Sequence, residues 1–202
     1  MPAPIMKIDH DSIAKAAGIV RKGGLVVYPT DTVYGLGADP FDEKAVQRLF
    51  AVKGRSAKPV PILCSSQQKA VELVALSDNG LKLARDHWPG ALTLVAPLRK
   101  RLPAILTPGT GNLGVRVPAH RDCLELISAC GGWLTGTSAN LSGQPSARSA
   151  KEAATQLGDA VDLILDGGPL IEKESTVALV VGDEVTILRS GPIGVGEETK
   201  RR

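Results

Sequence analysis

The chain has 202 residues, enough for one domain with a sizeable core, and its 43% hydrophobic and 22% charged residues are typical of a globular protein. Its net charge of +3 permits anionic ligands without requiring them, and its 3% of aromatic residues argues against binding of single-stranded nucleic acid by base stacking. No apolar run approaches the length of a membrane span, and the N-terminal residues lack the apolar segment of a signal peptide.

Cys64, Cys123 and Cys130 are odd in number and lack the spacing of zinc ligands. We therefore expect free, buried thiols in a protein of the reducing cytoplasm. With three histidines in the chain, a histidine-rich metal site is not expected.

Hydrophobic periodicity and turn residues predict helices and strands in alternation. Helices are predicted over residues 11–22, 42–52, 67–75, 77–88, 123–130 and 149–157. Strands are predicted over residues 25–28, 60–64, 91–96, 113–117, 133–137, 161–165, 176–181 and 185–188. Asp42 is the expected N-cap of the second helix, and Gly182-Asp183 the expected turn of a closing hairpin. The pattern indicates an α/β domain with a mixed sheet, covered by helices on at least one face.

Four polar clusters lie where predicted elements end, which is where ligand sites collect in α/β sheets. The first is PTDTVYGLGADP at 29–40, where Thr30 and Thr32 follow a buried strand and two glycines permit close approach of the backbone. A Gly-rich turn without a ligand would look the same. The segment is not a Walker loop, because the Gly-Lys-Ser/Thr ending is missing.

The second cluster is KGRSAKP at 53–59, with three cations and no acid. The helix macrodipole favours cations at a helix C-terminus, which would explain them without a ligand. Alternatively, Arg55 binds a phosphate in bidentate fashion and Lys53 adds a point charge.

The third cluster is GVRVP at 114–118, where Arg116 interrupts an apolar strand. The side chain either faces water or needs an anion, for which a substrate carboxylate or phosphate would serve.

The fourth cluster is LTGTSANLSGQPSAR at 134–148, whose hydroxyl and amide groups can bind a zwitterion, a phosphate or hydrated Mg²⁺, although they also cap turns. No catalytic triad, Cys–His pair or carboxylate dyad is evident. The inventory therefore favours positioning and charge neutralisation over covalent catalysis, as in phosphoryl or nucleotidyl transfer.

Taken together and in this order, seven pieces of the chain resemble the YrdC-like family of L-threonylcarbamoyladenylate (threonylcarbamoyl-AMP) synthases, of the short single-domain type. They are GGLVVYPTDTVYGLGADP, the K-x-R of residues 53–55, HWPGALTLV at 87–95, GVRVPAH at 114–120, TSANLSGQPS at 137–146, ESTV at 174–177 and LRSGPI at 188–193. The resemblance implies a YrdC-like domain over residues 7–195, followed by a charged tail at 196–202.

The resemblance further implies a twisted mixed sheet with flanking helices around a concave, basic cavity. The implied enzyme is a nucleotidyltransferase that condenses L-threonine, bicarbonate or CO₂, and ATP into threonylcarbamoyl-AMP and pyrophosphate. Partner proteins then transfer the threonylcarbamoyl group to the adenosine next to the anticodon of tRNA. Mg²⁺ is the expected cofactor, held through the ATP phosphates without an assigned protein ligand.

Site residues carry over one by one from the matching motifs. The implied catalytic residues are Lys53, Arg55, Ser138 and Asn140. The implied threonine-binding residues are Thr32, Arg116, Ser138 and Ser175. The implied ATP-binding residues are Lys53, Arg55, Asn112, Asn140, Arg148 and Arg189. Arg55→Ala or Asn140→Ala is expected to abolish turnover and leave the fold intact, and no general base is assigned.

Two departures from the family pattern affect local contacts. The segment after the K-x-R is a residue shorter than in many relatives, and a histidine of some members is Leu63 or Cys64 here. The chain also ends without the C-terminal domain and linker of longer relatives, so any lid over the cavity is expected to be absent or supplied otherwise.

Two other functions compete with the synthase. An RNA-binding YrdC-like module, with contact to tRNA or double-stranded RNA, predicts a steep salt dependence and no need for threonine. A paralogue without efficient synthesis is disfavoured by the intact K-x-R and by the S-x-N of Ser138-Ala139-Asn140.

Overall fold

The structure is a computed structural model that describes residues 2–54 and 58–195. The helices are α1 (His10–Val20), α2 (Glu43–Val52), α3 (Gln67–Leu73), α4 (Asp78–His87), α5 (Arg121–Ala129) and α6 (Ala150–Leu157), with a 3₁₀ turn at Ala104–Leu106. The strands are β1 (Ile5–Lys7), β2 (Val26–Tyr28), β3 (Gly35–Gly37), β4 (Ile62–Cys64), β5 (Leu92–Pro97), β6 (Asn112–Arg116), β7 (Trp133–Thr135), β8 (Thr137–Ser138), β9 (Leu163–Asp166), β10 (Thr176–Val181) and β11 (Glu184–Arg189).

The strands form two mixed sheets. The first has the order β1-β9-β2-β3-β8, and the second has the order β11-β10-β5-β6-β4-β7. Each contains parallel and antiparallel pairs, such as β10 parallel to β5 and β5 antiparallel to β6. The predicted mixed α/β architecture is confirmed, although we expected one sheet.

The helix starts follow from side-chain caps that satisfy the first free N–H groups. Asp42 accepts hydrogen bonds from the backbone of Lys44 and Ala45, as predicted for α2. His120 caps α5 by accepting from the backbone N–H of Cys123, so this helix begins two residues before the predicted position. The closing hairpin also forms as predicted, with Gly182 at a φ of 57°.

The two sheets share one apolar core. The largest buried cluster joins Val27 and Leu36 of the first sheet to Ile62 and Val115 of the second. Helices α2, α3 and α6 contribute to the same cluster, so the sheets and these helices pack as one unit.

The predicted strand over 133–137 is divided at Gly136. Before this glycine, β7 pairs with β4 in the six-stranded sheet; after it, β8 pairs with β3 in the five-stranded sheet. A Cβ at residue 136 would lie 2.7 Å from Cγ of Leu63, so the crossing needs a glycine. The division corrects the single predicted strand, and it makes this segment a covalent link between the sheets.

Strands β1 and β3 were not predicted. Strand β3 is the sequence Gly-Leu-Gly, which lies in the segment that we expected to be either a Gly-rich turn or a close approach of the backbone to a ligand. Here both glycines lie against the ring of Tyr28, where a Cβ would come within 2.7 Å at Gly35 and 2.8 Å at Gly37. Because Gly35 and Gly37 have no side chains, β3 can pair with β2 beside the ring of Tyr28.

Candidate functional site

A cavity of about 420 Å³ lies against the six-stranded sheet and reaches the end of β8. Side chains on β5, β6 and β10 alternate between this cavity and the core, as the two-residue period of a strand requires. On β6, Asn112, Gly114 and Arg116 line the cavity, whereas Leu113 and Val115 lie in the core. The face of the sheet that lines the cavity therefore carries the polar side chains of these strands.

One row of residues crosses the floor of the cavity perpendicular to the strands. Leu63 on β4 pairs with Arg116 on β6, and Thr93 on β5 pairs with Val177 on β10, which pairs with Arg189 on β11. Continuing the register from Leu94 opposite Val115 by one step places Thr93 beside Arg116. Three strand spacings of about 4.8 Å separate the two arginines, so their Cα atoms lie roughly 14 Å apart.

Arg116 is buried, with 5% of its surface exposed, and it is fixed through all three guanidinium nitrogens. Its Nε donates to the carbonyl of Gly90 at 2.8 Å, NH1 to Oγ1 of Thr32 at 3.1 Å, and NH2 to the carboxylate of Asp31. The side chain therefore does not face water. Its partner within the protein is Asp31, an anion that the sequence alternatives did not include.

The two threonines of the first cluster form a directed chain of hydrogen bonds. Oγ1 of Thr30 donates to the carbonyl of Val33 at 2.7 Å, so Thr32 must donate in the 3.0 Å contact between the two hydroxyls. Arg116 donates to Thr32 in turn. The hydroxyl of Thr32 is thus held with its lone pairs towards the guanidinium.

Arg189 is held in the same manner at the other end of the row. Its Nε donates to the carbonyl of Ser175 at 3.0 Å and NH2 to the hydroxyl of Ser175 at 3.1 Å, while NH1 pairs with the carboxylate of Glu174. The hydroxyl of Ser175 also contacts Oγ1 of Thr93 at 2.9 Å. Arg189 and Glu174 are half-exposed, with side-chain exposures of 46% and 37%.

The S-x-N turn is built around Lys53, which caps the C-terminus of α2. Nζ of Lys53 donates to the carbonyls of Ser138 and Asn140 at 2.5 and 2.9 Å, and to Oδ1 of Asn140 at 3.3 Å. The same Oδ1 accepts from the hydroxyl of Ser138 at 2.5 Å. The lysine therefore orders this turn, a role that neither sequence interpretation of the second cluster included.

The structure brings most of the predicted site residues together around one cavity. Those that line it are Thr32, Asn112, Arg116, Ser138, Ser175 and Arg189. Lys53 and Asn140 lie directly behind Ser138 and are not among the lining residues that the structure describes. Arg148 is exposed outside the cavity lining, and Arg55 lies outside the described residues. The individual roles of all these residues stay predictions.

Thr93 and Glu174, which line the cavity, were missed as site candidates, as was Asp31, which binds Arg116 but is not among the lining residues that the structure describes. Asp31 and Glu174 stand next to predicted residues but were not recognised as partners of the arginines. Thr93 could have been found, because in the predicted strand it alternates with Leu92 and Leu94 and therefore faces the opposite side.

Tyr34 forms part of the cavity wall and a rigid corner behind it. Its hydroxyl donates to the carbonyl of Gly168 at 2.7 Å and accepts from the backbone N–H of Gly167 at 3.1 Å. Burial and the nearby carboxylate of Asp166 raise the pKa of Tyr34 to about 12. The phenol therefore stays protonated at neutral pH and acts as a structural donor.

Among residues 2–54 and 58–195, no group of three or more His, Cys, Asp or Glu side chains is arranged to hold a metal ion. The three cysteines are free, and burial raises the pKa of each thiol. No helix in the described part of the chain is long and apolar enough to cross a membrane.

Comparison with known proteins identifies related chains. The family model Sua5_yciO_yrdC, described as "Telomere recombination", matches residues 18–191. The chain is 39% identical over 197 residues to a threonylcarbamoyl-AMP synthase of Pyrococcus abyssi, covering 96% of this chain and 58% of that protein. It is 40% identical over 184 residues to a putative threonylcarbamoyl-AMP synthase of Mycobacterium tuberculosis, covering 90% of this chain and 84% of that one.

Solved structures agree with these relatives. The chain superposes on Pyrococcus abyssi Sua5 complexed with L-threonine with a TM-score of 0.86 at 39% identity, covering 94% of this chain and 57% of that one. It superposes on Escherichia coli YciO with the same TM-score at 28% identity, covering 94% and 96%. The chain thus spans over half the length of the Pyrococcus protein and nearly all of YciO.

Proposed function

Because the chain belongs to the Sua5/YciO/YrdC family, we propose that it synthesises threonylcarbamoyl-AMP from L-threonine, bicarbonate or CO₂, and ATP, releasing pyrophosphate. The product serves the threonylcarbamoyladenosine modification of tRNA next to the anticodon. The observation that carries the proposal is the row across the cavity floor, which has Arg116 at the predicted threonine side and Arg189 at the predicted nucleotide side. The cavity volume falls within the range of small-molecule sites.

Arg116 can bind the threonine carboxylate without losing its partners. The contacts described above use three of the five N–H groups of a guanidinium, so NH1 and NH2 each retain one donor. The hydroxyls of Thr32 and Ser175 and the neighbouring Thr93 supply polar contacts for the rest of the amino acid. Since Arg116 is already buried and ordered, little conformational entropy is lost on binding.

The chemistry requires positioning and charge neutralisation rather than a protein nucleophile. The threonine amine attacks CO₂, losing a proton to solvent, or attacks bicarbonate with loss of water, and either route gives a carbamate. A carbamate oxygen then attacks the α-phosphate of ATP as pyrophosphate leaves. Arg189 and Arg55 neutralise the phosphates and the leaving group, and Lys53 contributes by holding the turn that carries Ser138 and Asn140. Mg²⁺ would be bound through the ATP phosphates, as part of the Mg–ATP substrate.

The proposed location of this activity is the cytoplasm, a reducing compartment in which free thiols such as those of this chain are typical. Separate transferase proteins would take the product to tRNA, and contact of this chain with tRNA or other double-stranded RNA would be weak.

The test is pyrophosphate release by folded protein supplied with Mg–ATP, bicarbonate and threonine. We expect release that depends on threonine, and its absence would refute the proposal. Arg55→Ala should abolish it, with Arg101→Ala, an exposed arginine, as the matched control. Asn140→Ala is a poorer probe than the sequence suggested, because Oδ1 of Asn140 accepts from both Lys53 and Ser138 and its loss would also disturb the turn.

A further inference from the structure

Glu174 connects two walls of the cavity through a single carboxylate. Oε1 accepts a hydrogen bond from the hydroxyl of Ser146, in the loop that follows the S-x-N turn, and Oε2 pairs with NH1 of Arg189 at the end of β11. Glu174 itself lines the cavity. Its negative charge therefore stands where the proposed function requires Arg189 to receive a phosphate.

Arg189 does not depend on Glu174 for its position. Its Nε and NH2 are bound to the carbonyl and hydroxyl of Ser175, the residue immediately before β10. NH1 is the nitrogen whose partner can change while the guanidinium stays in place. An incoming anion can thus replace the carboxylate without rebuilding the site.

The exposure of the pair favours such an exchange. The carboxylate of Asp31 beside Arg116 has 13% side-chain exposure, so losing its arginine would leave a buried charge unpaired, which is strongly unfavourable. Glu174, at 37%, can be rehydrated when it leaves Arg189, and an exposed ion pair of this kind contributes little to stability. Exchange is therefore feasible at Arg189 and disfavoured at Arg116.

We propose that Glu174 is a positioning residue that occupies Arg189 in the unliganded protein and competes there with the phosphates of ATP, an inference that rests on the proposed function. Binding of Mg–ATP displaces the carboxylate from Arg189, and the half-exposed Glu174 is rehydrated. Glu174 consequently lowers the affinity for ATP and leaves the affinity for threonine unchanged.

Calorimetric titration of the whole chain with Mg–ATP tests the competition. Glu174→Gln should bind about two- to fivefold more tightly than the wild type, the range expected from removing one half-exposed ion pair. The matched control is Glu172→Gln, which makes the same charge change at an exposed position of the same segment outside the cavity lining. In steady-state assays Glu174→Gln should lower KM for ATP and leave KM for threonine unchanged.

Hydrogen exchange of the unliganded protein tests the link itself, without ATP. Exchange over residues 143–148 should rise in Glu174→Gln and in Ser146→Ala, and stay unchanged in Glu172→Gln.

Each contrary result is distinguishable. Equal tightening by Glu172→Gln, or unchanged or weaker ATP binding by Glu174→Gln, overturns the competition while the synthase proposal stands. Unchanged exchange over residues 143–148 in both variants overturns the link. Failure of folded wild-type protein to bind Mg–ATP refutes the proposed function, and the competition with it.

Discussion

Arg116 and Arg189 are bound in nearly the same way, three strands apart on one sheet. Each donates through Nε to a backbone carbonyl, through one terminal nitrogen to a hydroxyl, and through the other to a carboxylate. They differ in burial, since 6% of the Arg116 side chain and 46% of the Arg189 side chain are exposed. The same set of contacts thus forms a permanent part of the interior at one end of the cavity and an exchangeable pair at the other.

Burial therefore decides what each arginine contributes. Removal of one partner from a buried ion pair strongly destabilises the fold, whereas an exposed ion pair contributes only about 0–1 kcal/mol to stability. We expect the arginine on the predicted threonine side to support both fold and binding, and the arginine on the predicted nucleotide side to support binding alone.

Arg116→Ala should have the largest effect, because it leaves Asp31 as an uncompensated buried charge. We expect a loss of about 3–5 kcal/mol in the free energy of unfolding. Threonine-dependent pyrophosphate release should be abolished. Urea denaturation and the release assay measure the two effects, and a loss below about 1 kcal/mol would contradict the assignment of this pair to the interior.

Gly136→Ala should disturb the threonine side selectively. The added Cβ would lie 2.7 Å from Cγ of Leu63, which is the neighbour of Arg116 in the sheet and lies one strand further from Arg189 than Arg116 does. We expect a loss of about 1–3 kcal/mol in unfolding free energy, with KM for threonine raised more than KM for ATP. Gly18→Ala is the control, since a Cβ in this helix meets nothing within 4 Å.

Arg189→Ala should affect binding without affecting the fold. We expect KM for ATP to rise about tenfold, the equivalent of one charge-assisted hydrogen bond, while the free energy of unfolding changes by less than about 1 kcal/mol. Thermal denaturation beside steady-state kinetics measures both. A stability loss as large as that of Arg116→Ala would remove the contrast between the two arginines.

The pair of Arg48 and Asp162, on the surface, supplies a baseline for an exposed ion pair. Partial burial raises the pKa of Asp162, but hydrogen bonds from Arg48 and from the backbone of Leu25 more than offset this, so the pKa lies below its usual value. The stabilisation is present above the unfolded-state pKa of about 3.9 and is lost as pH falls through the lower folded-state pKa.

Asp162→Asn should therefore lower the unfolding free energy by less than about 1 kcal/mol near pH 6, and the difference should shrink below about pH 4. Urea denaturation at both pH values measures it. Asp159→Asn, at an exposed neighbouring carboxylate, is the control and should show no comparable difference.

Helices were predicted from the sequence to within a few residues because their signals are local. Asp42 and Ser149 cap their helices with their own side chains, and apolar spacing marks the buried face. The arrangement of the strands was harder to predict from the sequence. The crossing at Gly136 depends on Leu63, and the pairing of Gly-Leu-Gly as β3 depends on Tyr28, so neither is visible in the local pattern.

Local signals also predicted part of the site, whereas contacts between residues distant in the chain were not predicted. Arg116 is a charged residue within an apolar strand, a pattern that is visible in the local sequence. Its partner Asp31 lies 85 residues away in the chain, and only the fold brings the two together. The roles of Lys53 and Glu174 likewise depend on contacts between separate loops, for which a single sequence carries no spacing signal.

The row across the cavity floor also sets the distance between the two arginines, because neighbouring strands of a sheet have a fixed spacing. Arg116 and Arg189 are three strand spacings apart, and a β-bulge between Val177 and Ala178 brings Arg189, rather than Leu188, opposite Val177. A different distance between the predicted threonine side and the predicted nucleotide side would therefore need either a strand added to the sheet or side chains of another length.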